Sequence, residues 1–456
     1  MIYIKKLAFQ MVAAMTLFGC NASGTDHAEA AQAPVRSGNT EALAAVRTAA
    51  IPLAQSAQDY DALLRSTQGA TRILLGESTH GTHEFYRERA RITQRLIRDA
   101  GVNAIAIEGD WSPTYRVNLY VRGLGNDRTA RQALRGYTNF PSWMWPNAEF
   151  AEFIEQLRTH NSALPAKQRI GLYGMDVYDL FEAADAVVET LGELDPAAAQ
   201  RVKAHYRCFR RYGRNTHTYG EAARRPQASC QDQTEAAVAE IRRLPVPASP
   251  EVAEAHFAAT RAAASVAAAE AYFRTTYAGG NSWNLRDQRM ADTVEAIADH
   301  VGRVSGRPGK VVMWSHNTHS GDARATSSAA EGELNIGQLM KQRHGDRAYL
   351  VGFLTHSGTV LAAPRWDSPG RVYDLRPALP ESHSGLFKRT GIPAFMLLLK
   401  DNPQLREHFS RPMLQRAVGV IYVPHAERQS HYFDAALGKQ FDAAIFFAQS
   451  QAVRPL

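Results

Sequence analysis

Residues 72–85 read RILLGESTHGTHEF. Ile73-Leu74-Leu75 is a short apolar run that stops at Gly76, the pattern of a buried strand. Gly76 and Gly81 permit tight backbone geometry, and Ser78, Thr79 or Thr82 can cap a following helix. The stretch therefore reads as strand, turn and helix, and the same alternation recurs downstream. Further strands are expected at 103–108 (NAIAIE), 170–175 (IGLYGM), 310–315 (KVVMWS), 348–354 (AYLVGFL) and 418–423 (VGVIYV), with 441–447 (FDAAIFF) as an addition. Longer segments of helical periodicity separate them, which predicts an α/β fold with a central, mostly parallel sheet flanked by helices. Between the third and fourth strands lies a long insertion, 197–305. Its Ala-rich part, 251–275, has few helix breakers and predicts an inserted helical subdomain.

The chain has 456 residues, 45% hydrophobic and 21% charged, ordinary values for a globular protein with a large core. Lys5 and Lys6 precede an apolar stretch, 7–19, that is short for a bilayer span, so residues 1–19 read as an export signal. Leu17-Phe18-Gly19-Cys20 resembles a lipobox and makes Cys20 the expected lipidation site and membrane attachment. Ordinary cleavage near residues 29–33 is the competing reading. Both put the mature protein in the periplasm or cell envelope. Residues 20–40 are small, polar and aperiodic, the composition of a linker, and 41–456 is expected to be one catalytic domain. Cys208 and Cys230 remain as an even pair suited to one disulfide in an oxidising compartment. The formal charge of +7 falls to +5 once residues 1–19 are set aside, because 50 basic residues then face 45 acidic ones. The basic residues are scattered, with local runs at Arg207–Arg211 (RCFRR) and Arg224-Arg225, which argues against nucleic acid as a partner and leaves a solvated face or weak attraction to an anionic surface.

Open α/β sheets bind ligands at the carboxyl ends of their strands. Here that edge carries Glu77, His80 and His83 after the first strand, Glu108 and Asp110 after the second, and Asp176 and Asp179 after the third. His316 and His319 follow the fourth, His356 the fifth and His425 the sixth. An imidazole in such a turn titrates near neutrality, so His80 is the candidate general base. Glu108 closes an apolar strand; it either orients His80 or is a structural carboxylate bonded to backbone amides. His316 and His319 can be donors to a substrate carbonyl, metal ligands or ordinary loop histidines. The GxSxG elbow is absent, because Gly76 to Gly81 is one residue too long, and this argues against Ser78 as a nucleophile. No phosphate-binding loop, GxGxxG fingerprint or Cys/His zinc spacing occurs, which argues against nucleotide chemistry and a structural zinc.

GESTHGTHEF at 76, AIEGDW at 106, YGMDVYD at 173, WSHNTHSGDAR at 314 and ERQSHYFDAALGKQFDA at 427 together resemble the erythromycin esterase family, over roughly residues 45–450. The resemblance implies an esterase without metal or other cofactor, in which His80 activates water for attack on a carboxylic ester or macrolactone. A macrolide such as erythromycin is the candidate small-molecule substrate. It further implies catalytic roles for Glu77, Glu108 and His316 and substrate-binding roles for Arg89, His319 and Asp176, with Arg89 on the carbonyl or oxyanion. Two alternatives stand beside this reading. One is a metallohydrolase with Glu77, His80, His316 and His319 as ligands. The other is a noncatalytic envelope protein that binds a ligand such as haem.

Overall fold

Along each central strand, alternate side chains enter different cores, as the two-residue period of a strand requires. In the computed structural model, which describes residues 36–245 and 249–456, Ile73, Leu75, Ile105, Ile107, Val312 and Trp314 all enter one apolar cluster. Leu74, Ala104, Ala106, Val311 and Met313 enter the other. Helices His83–Ala100 and Ala148–Ser162 pack on the first face, and Leu180–Leu194, Pro250–Tyr277 and Ser282–Ser305 on the second. Both faces are covered, so the central strands are continuous apolar runs, as parallel strands are.

The strands are β1 (Ile51–Pro52), β2 (Arg72–Leu75), β3 (Ala104–Asp110), β4 (Gly171–Asp176), β5 (Val311–Trp314), β6 (Ala348–Ala362), β7 (Arg371–Leu375), β8 (Ala394–Leu398), β9 (Met413–Arg416), β10 (Tyr432–Ala435) and β11 (Ala443–Ser450). Nine form one sheet in the order β1-β8-β11-β6-β2-β5-β3-β4, with β7 paired to β6; β9 and β10 form a separate ribbon. Strands β11, β6, β2, β5, β3 and β4 run parallel, while β8, β1 and β7 are antiparallel additions. Helix His83–Ala100 carries the chain from β2 to β3 but leaves a gap, and β5 fills it. Leu75 and Ile107 then both pair with Trp314. Glu77, Glu108 and His316 follow those residues by two, one and two positions, so the register of three neighbouring strands gathers them at one edge.

The mostly parallel α/β sheet is as expected, with several differences. Residues 418–423 form no strand, only isolated bridges at Val418 and Ile421. Val418 exchanges backbone hydrogen bonds with Ser78 and His80, so this apolar run lines the rim. Pairing occurs instead just upstream, between β9 and β10. β8 has no counterpart among the expected strands. Residues 36–40, read as linker, are the start of helix Arg36–Ala49, and the remaining linker positions, the export signal and Cys20 lie outside the described residues. The insertion is helical and Cys208 is bonded to Cys230, their Cα atoms 5.9 Å apart. Its last helix, Ser282–Ser305, packs directly against β3, β4 and β5, so the end of the insertion belongs to the main core.

Under the β9–β10 ribbon, His383 is fully buried beside Phe409, and its Nε2 is 2.8 Å from the Ala435 carbonyl, which accepts a hydrogen bond. Burial pushes its pKa down to about 4 from 6.5. Between those values the unfolded chain takes up a proton that the folded chain refuses, so this group's contribution to stability is complete above pH 6.5 and is lost as pH falls toward 4. That gap corresponds to about 3 kcal/mol. Urea unfolding at stepped pH is expected to show the parent losing about that much more stability than His383→Gln over this window. Parallel curves for the two proteins contradict the assignment.

Candidate functional site

The turn after β2 requires glycine at two places. A Cβ on Gly76 would lie 2.1 Å from Asn317 Oδ1, and one on Gly81 would lie 1.9 Å from the Leu361 carbonyl oxygen. Neither approach tolerates a side chain, so the turn is clamped between β5 and β6 with His80 inside it. His80 and Glu77 are both buried, and His80 Nδ1 lies 2.9 Å from Glu77 Oε1. Donation from Nδ1–H to this carboxylate leaves the lone pair on Nε2, which has no hydrogen-bond partner among the described residues. The other Glu77 oxygen is 2.7 Å from Arg89 Nη2.

Arg89 has no exposed surface. Its guanidinium is 4.7 Å from the Tyr86 ring centroid and 4.9 Å from that of Trp314, so cation–π contacts replace water around it. Arg89 was expected to meet substrate; in the structure it is enclosed behind Glu77 and has no surface to offer one.

Of the two readings of Glu108, the structure places it in contact with a backbone amide and not with the His80 ring nitrogens. The acid that bonds His80 is Glu77, while Glu108 Oε2 accepts from the His316 backbone N–H at 2.7 Å. Glu108 Oε1 lies 2.9 Å from Arg286 Nη2 and 3.3 Å from His319 Nε2. Burial alone would raise its pKa, but His319, His80 and Arg286 hold it well below the usual carboxylate range. Asp176, expected to touch substrate, is gripped by Arg286 through Nε at 2.7 Å and Nη2 at 2.6 Å. Its oxygens are spent on that fork.

The two histidines after β5 have different environments. His319 Nδ1 is 2.8 Å from Asp287 Oδ1, and its ring stacks on Trp283 at 4.4 Å. Its Nε2 lies 3.0 Å from Arg286 Nη1 as well as near Glu108, so the neutral ring can accept from arginine and the protonated ring can donate to the carboxylate. Burial would lower its pKa, but Asp287 and Glu108 outweigh this and raise it. His316 goes the other way: burial and the neighbouring His80 push it well below the ordinary value, against a partial offset from Glu108. His316 Nδ1 accepts from the Thr318 backbone N–H at 3.3 Å, which puts the proton of the neutral ring on Nε2. That Nε2 is buried and makes no hydrogen bond of full geometry, although the Ser78 backbone lies close enough to hold the ring partly, and the ring centre is 4.9 Å from that of His80.

Other rim candidates do not join this group. His83 bonds Glu149, His356 lies within β6 beside Ser357, and His425 is exposed. Asp110 and Asp179 accept backbone hydrogen bonds from Tyr178 and Ser112, and burial raises both, Asp179 to about 6. Glu77, His80, His316 and His319 do not converge as metal ligands: both Glu77 oxygens and both His319 nitrogens face the partners above. Among the described residues, no group of three or more His, Cys, Asp or Glu is arranged to hold an ion.

Sequence reading missed Arg286, Asp287 and Trp283, which sit together in NSWNLRDQRM, 281–290. The only local signal is the Asn281 cap that starts their helix, because an Arg-Asp pair on a helix ordinarily reads as a solvated face. Arg286→Met is expected to cost about 3–5 kcal/mol in urea unfolding, because it strands two buried carboxylates. Adding Asp176→Asn is expected to recover part of that loss. An unchanged midpoint for the single variant would mean that the arginine balances neither acid.

The fold and the site can now be set beside known proteins. The crystal structure of a succinoglycan biosynthesis protein, 18% identical, matches with a TM-score of 0.72 over 92% of this chain and 100% of that one. A Bacillus cereus protein, 17% identical, matches with a TM-score of 0.72 over 92% and 99%. A mutant erythromycin esterase in its open conformation, 16% identical, matches with a TM-score of 0.59 over 87% and 94%. At these identities the likeness establishes the fold alone. The erythromycin esterase family model matches residues 97–450, a span that takes in Glu108, Asp176, Arg286, His316 and His319 but begins beyond Glu77, His80 and Arg89. The match covers most of the chain, which belongs to the erythromycin esterase family of hydrolases.

Proposed function

We propose that this rim hydrolyses a carboxylic ester or lactone, with His80 as the base that activates water. The observation that carries the reading is the pairing of two ring nitrogens on neighbouring imidazoles: His80 Nε2 with its lone pair, and His316 Nε2 with a buried proton that makes no hydrogen bond of full geometry. His80 Nε2 takes a proton from water, and the water oxygen attacks the ester carbonyl carbon. His316 Nε2–H donates to the oxyanion as it forms. Protonated His80 then returns its proton to the leaving alkoxide as the acyl C–O bond breaks, giving acid and alcohol. Glu77, held by Arg89, steadies the imidazolium through Nδ1. A placed general base supports about 10²–10⁴-fold in rate and one oxyanion donor about 10²–10³-fold.

A macrolide such as erythromycin is one substrate of this class. Export to the periplasm or envelope belongs to the same proposal, and the Cys208–Cys230 bond suits an oxidising compartment. The test is a panel of esters and macrolactones read by mass spectrometry for the gain of water. His80→Ala is expected to remove nearly all turnover, by about 10³-fold or more, with the fold intact. Glu77→Gln is expected to lower kcat more than it raises KM, because it acts on the charged base. A fully active His80→Ala protein would refute the assignment. No product from any ester, together with a Soret band on purification, favours the noncatalytic haem-binding alternative.

A further inference from the structure

Charge is unevenly spread along this chain. Residues 201–225 hold eight basic side chains, Arg201, Lys203, Arg207, Arg210, Arg211, Arg214, Arg224 and Arg225, and one acid, Glu221. Eight minus one gives +7, the formal charge of the whole chain, so the remainder is neutral on balance. All eight are exposed. Arg201, Arg214 and Arg224 have acidic partners in Glu240, Glu182 with Asp185, and Glu221. Lys203, Arg207, Arg210, Arg211 and Arg225 have none among the described residues.

The local structure fixes several of these charges in one place. Arg207–Tyr212 is a 3-10 helix, in which positions three apart eclipse, so Arg207 and Arg210 stand in line about 6 Å apart with Arg211 beside them. The bond from Cys208 to Cys230 pins this turn, and a shallow groove lined by His205, Arg207, Arg210 and Arg211 opens over the disulfide. Cations held this way lose little freedom on meeting phosphates.

A second feature touches the helix that follows the groove. His217, on that helix, is 3.6 Å from Asp367 in the loop between β6 and β7. That hairpin exposes Trp366 by 42% and Val372 by 58%, two of the five large apolar side chains most open to solvent. Arg365 and Arg371 flank them, and Trp366 has Phe140 against it at 4.8 Å. A tryptophan among arginines is the composition that settles at a membrane–water interface, with the ring at headgroup depth and the cations on phosphate. No described helix is long and apolar enough to cross a membrane, so any such contact is peripheral.

We propose that the basic groove at 203–211 and the Trp366 hairpin together form a docking face for an anionic phospholipid bilayer. A soluble polyanion would match the arginines but leaves the exposed Trp366 and Val372 without a role, which favours the lipid surface. The hairpin also rests on the segment beside Glu108: Gly370 packs on Trp143, and Trp145 Nε1 donates to the Glu108 carbonyl at 3.0 Å. Docking itself does not depend on hydrolysis, so its test is separate from the ester panel.

The test is cosedimentation with phosphatidylcholine vesicles, with and without phosphatidylglycerol, every protein carrying the same N-terminus so that any leader or acyl contribution cancels. The parent is expected to bind the anionic vesicles, to leave them as salt is raised, and to bind neutral ones far less. R207E, R210E and R211E combined should weaken anionic binding about tenfold or more, and R210E alone in the same direction if the triple variant folds poorly. Trp366→Ala should weaken it too and remove the blue shift of tryptophan fluorescence, while R98E on helix His83–Ala100 changes nothing. Equal binding to both vesicle types overturns the proposal, as does a folded triple variant that binds like the parent. Binding to dextran sulfate but to neither vesicle assigns the face to a soluble polyanion instead.

Discussion

One guanidinium, that of Arg286, makes the rim electrostatically possible. Glu108 near the end of β3 and Asp176 at the end of β4 are both buried on neighbouring strands and share one arginine, and in general two like charges at about 4 Å repel by about 4 kcal/mol even at an effective dielectric near 20. Without a cation between them one would hold its proton, as aspartic dyads do. Arg286 forks onto Asp176, reaches Glu108 with the same Nη2 and lies against His319. Glu108 therefore stays ionised, and an ionised Glu108 is what accepts the His316 N–H and fixes the loop that holds the second imidazole.

The source of that arginine matters for how the protein is built. Arg286 and Asp287 lie in the first turns of Ser282–Ser305, the last helix of the long insertion. The sheet supplies Glu77, His80, Glu108 and His316 from strands that are mutually in register, but their charges balance only once a helix more than a hundred residues downstream of β4 has docked. The helical segment is thus more than a wall. Its near end completes the site, and its disulfide-tied part packs outside helices Leu180–Leu194 and Pro250–Tyr277, where it is free to present charge.

What was legible in the sequence follows the range of the interactions. The strand, turn and helix around Gly76–Gly81 are local, so the glycines and the apolar run announced them, and with them His80 and Glu77. The strands β3, β4, β5 and β6 were legible for the same reason. That β5 lies between β2 and β3 was not, because strand order is set by packing between distant segments. The run at 418–423 has strand composition but spends its backbone on Ser78, His80 and Ala363, which no local pattern records. Arg89 was legible as a residue but not in its setting: its complete burial depends on the Tyr86 and Trp314 rings, one local and one from β5. For Glu108 the sequence left open whether it orients His80 or bonds backbone amides, because the choice depends on a neighbouring loop; it accepts the His316 N–H, and the acid on His80 is three residues away in the same turn.

The two imidazoles at the rim show how one residue type is made to serve two purposes. His80 has its Nδ1 on a carboxylate that a buried arginine holds, which leaves the Nε2 lone pair without a partner among the described residues. His316 has its Nδ1 on a backbone N–H, no acid against its ring nitrogens and heavy burial, and this favours a ring that stays neutral and donates. Exchanging their partners would exchange their behaviour. The division is thus written in the Nδ1 of each ring, one facing an acid and the other an amide, and the sheet register that sets Leu75 and Ile107 on either side of Trp314 brings the two ring centres to 4.9 Å from each other.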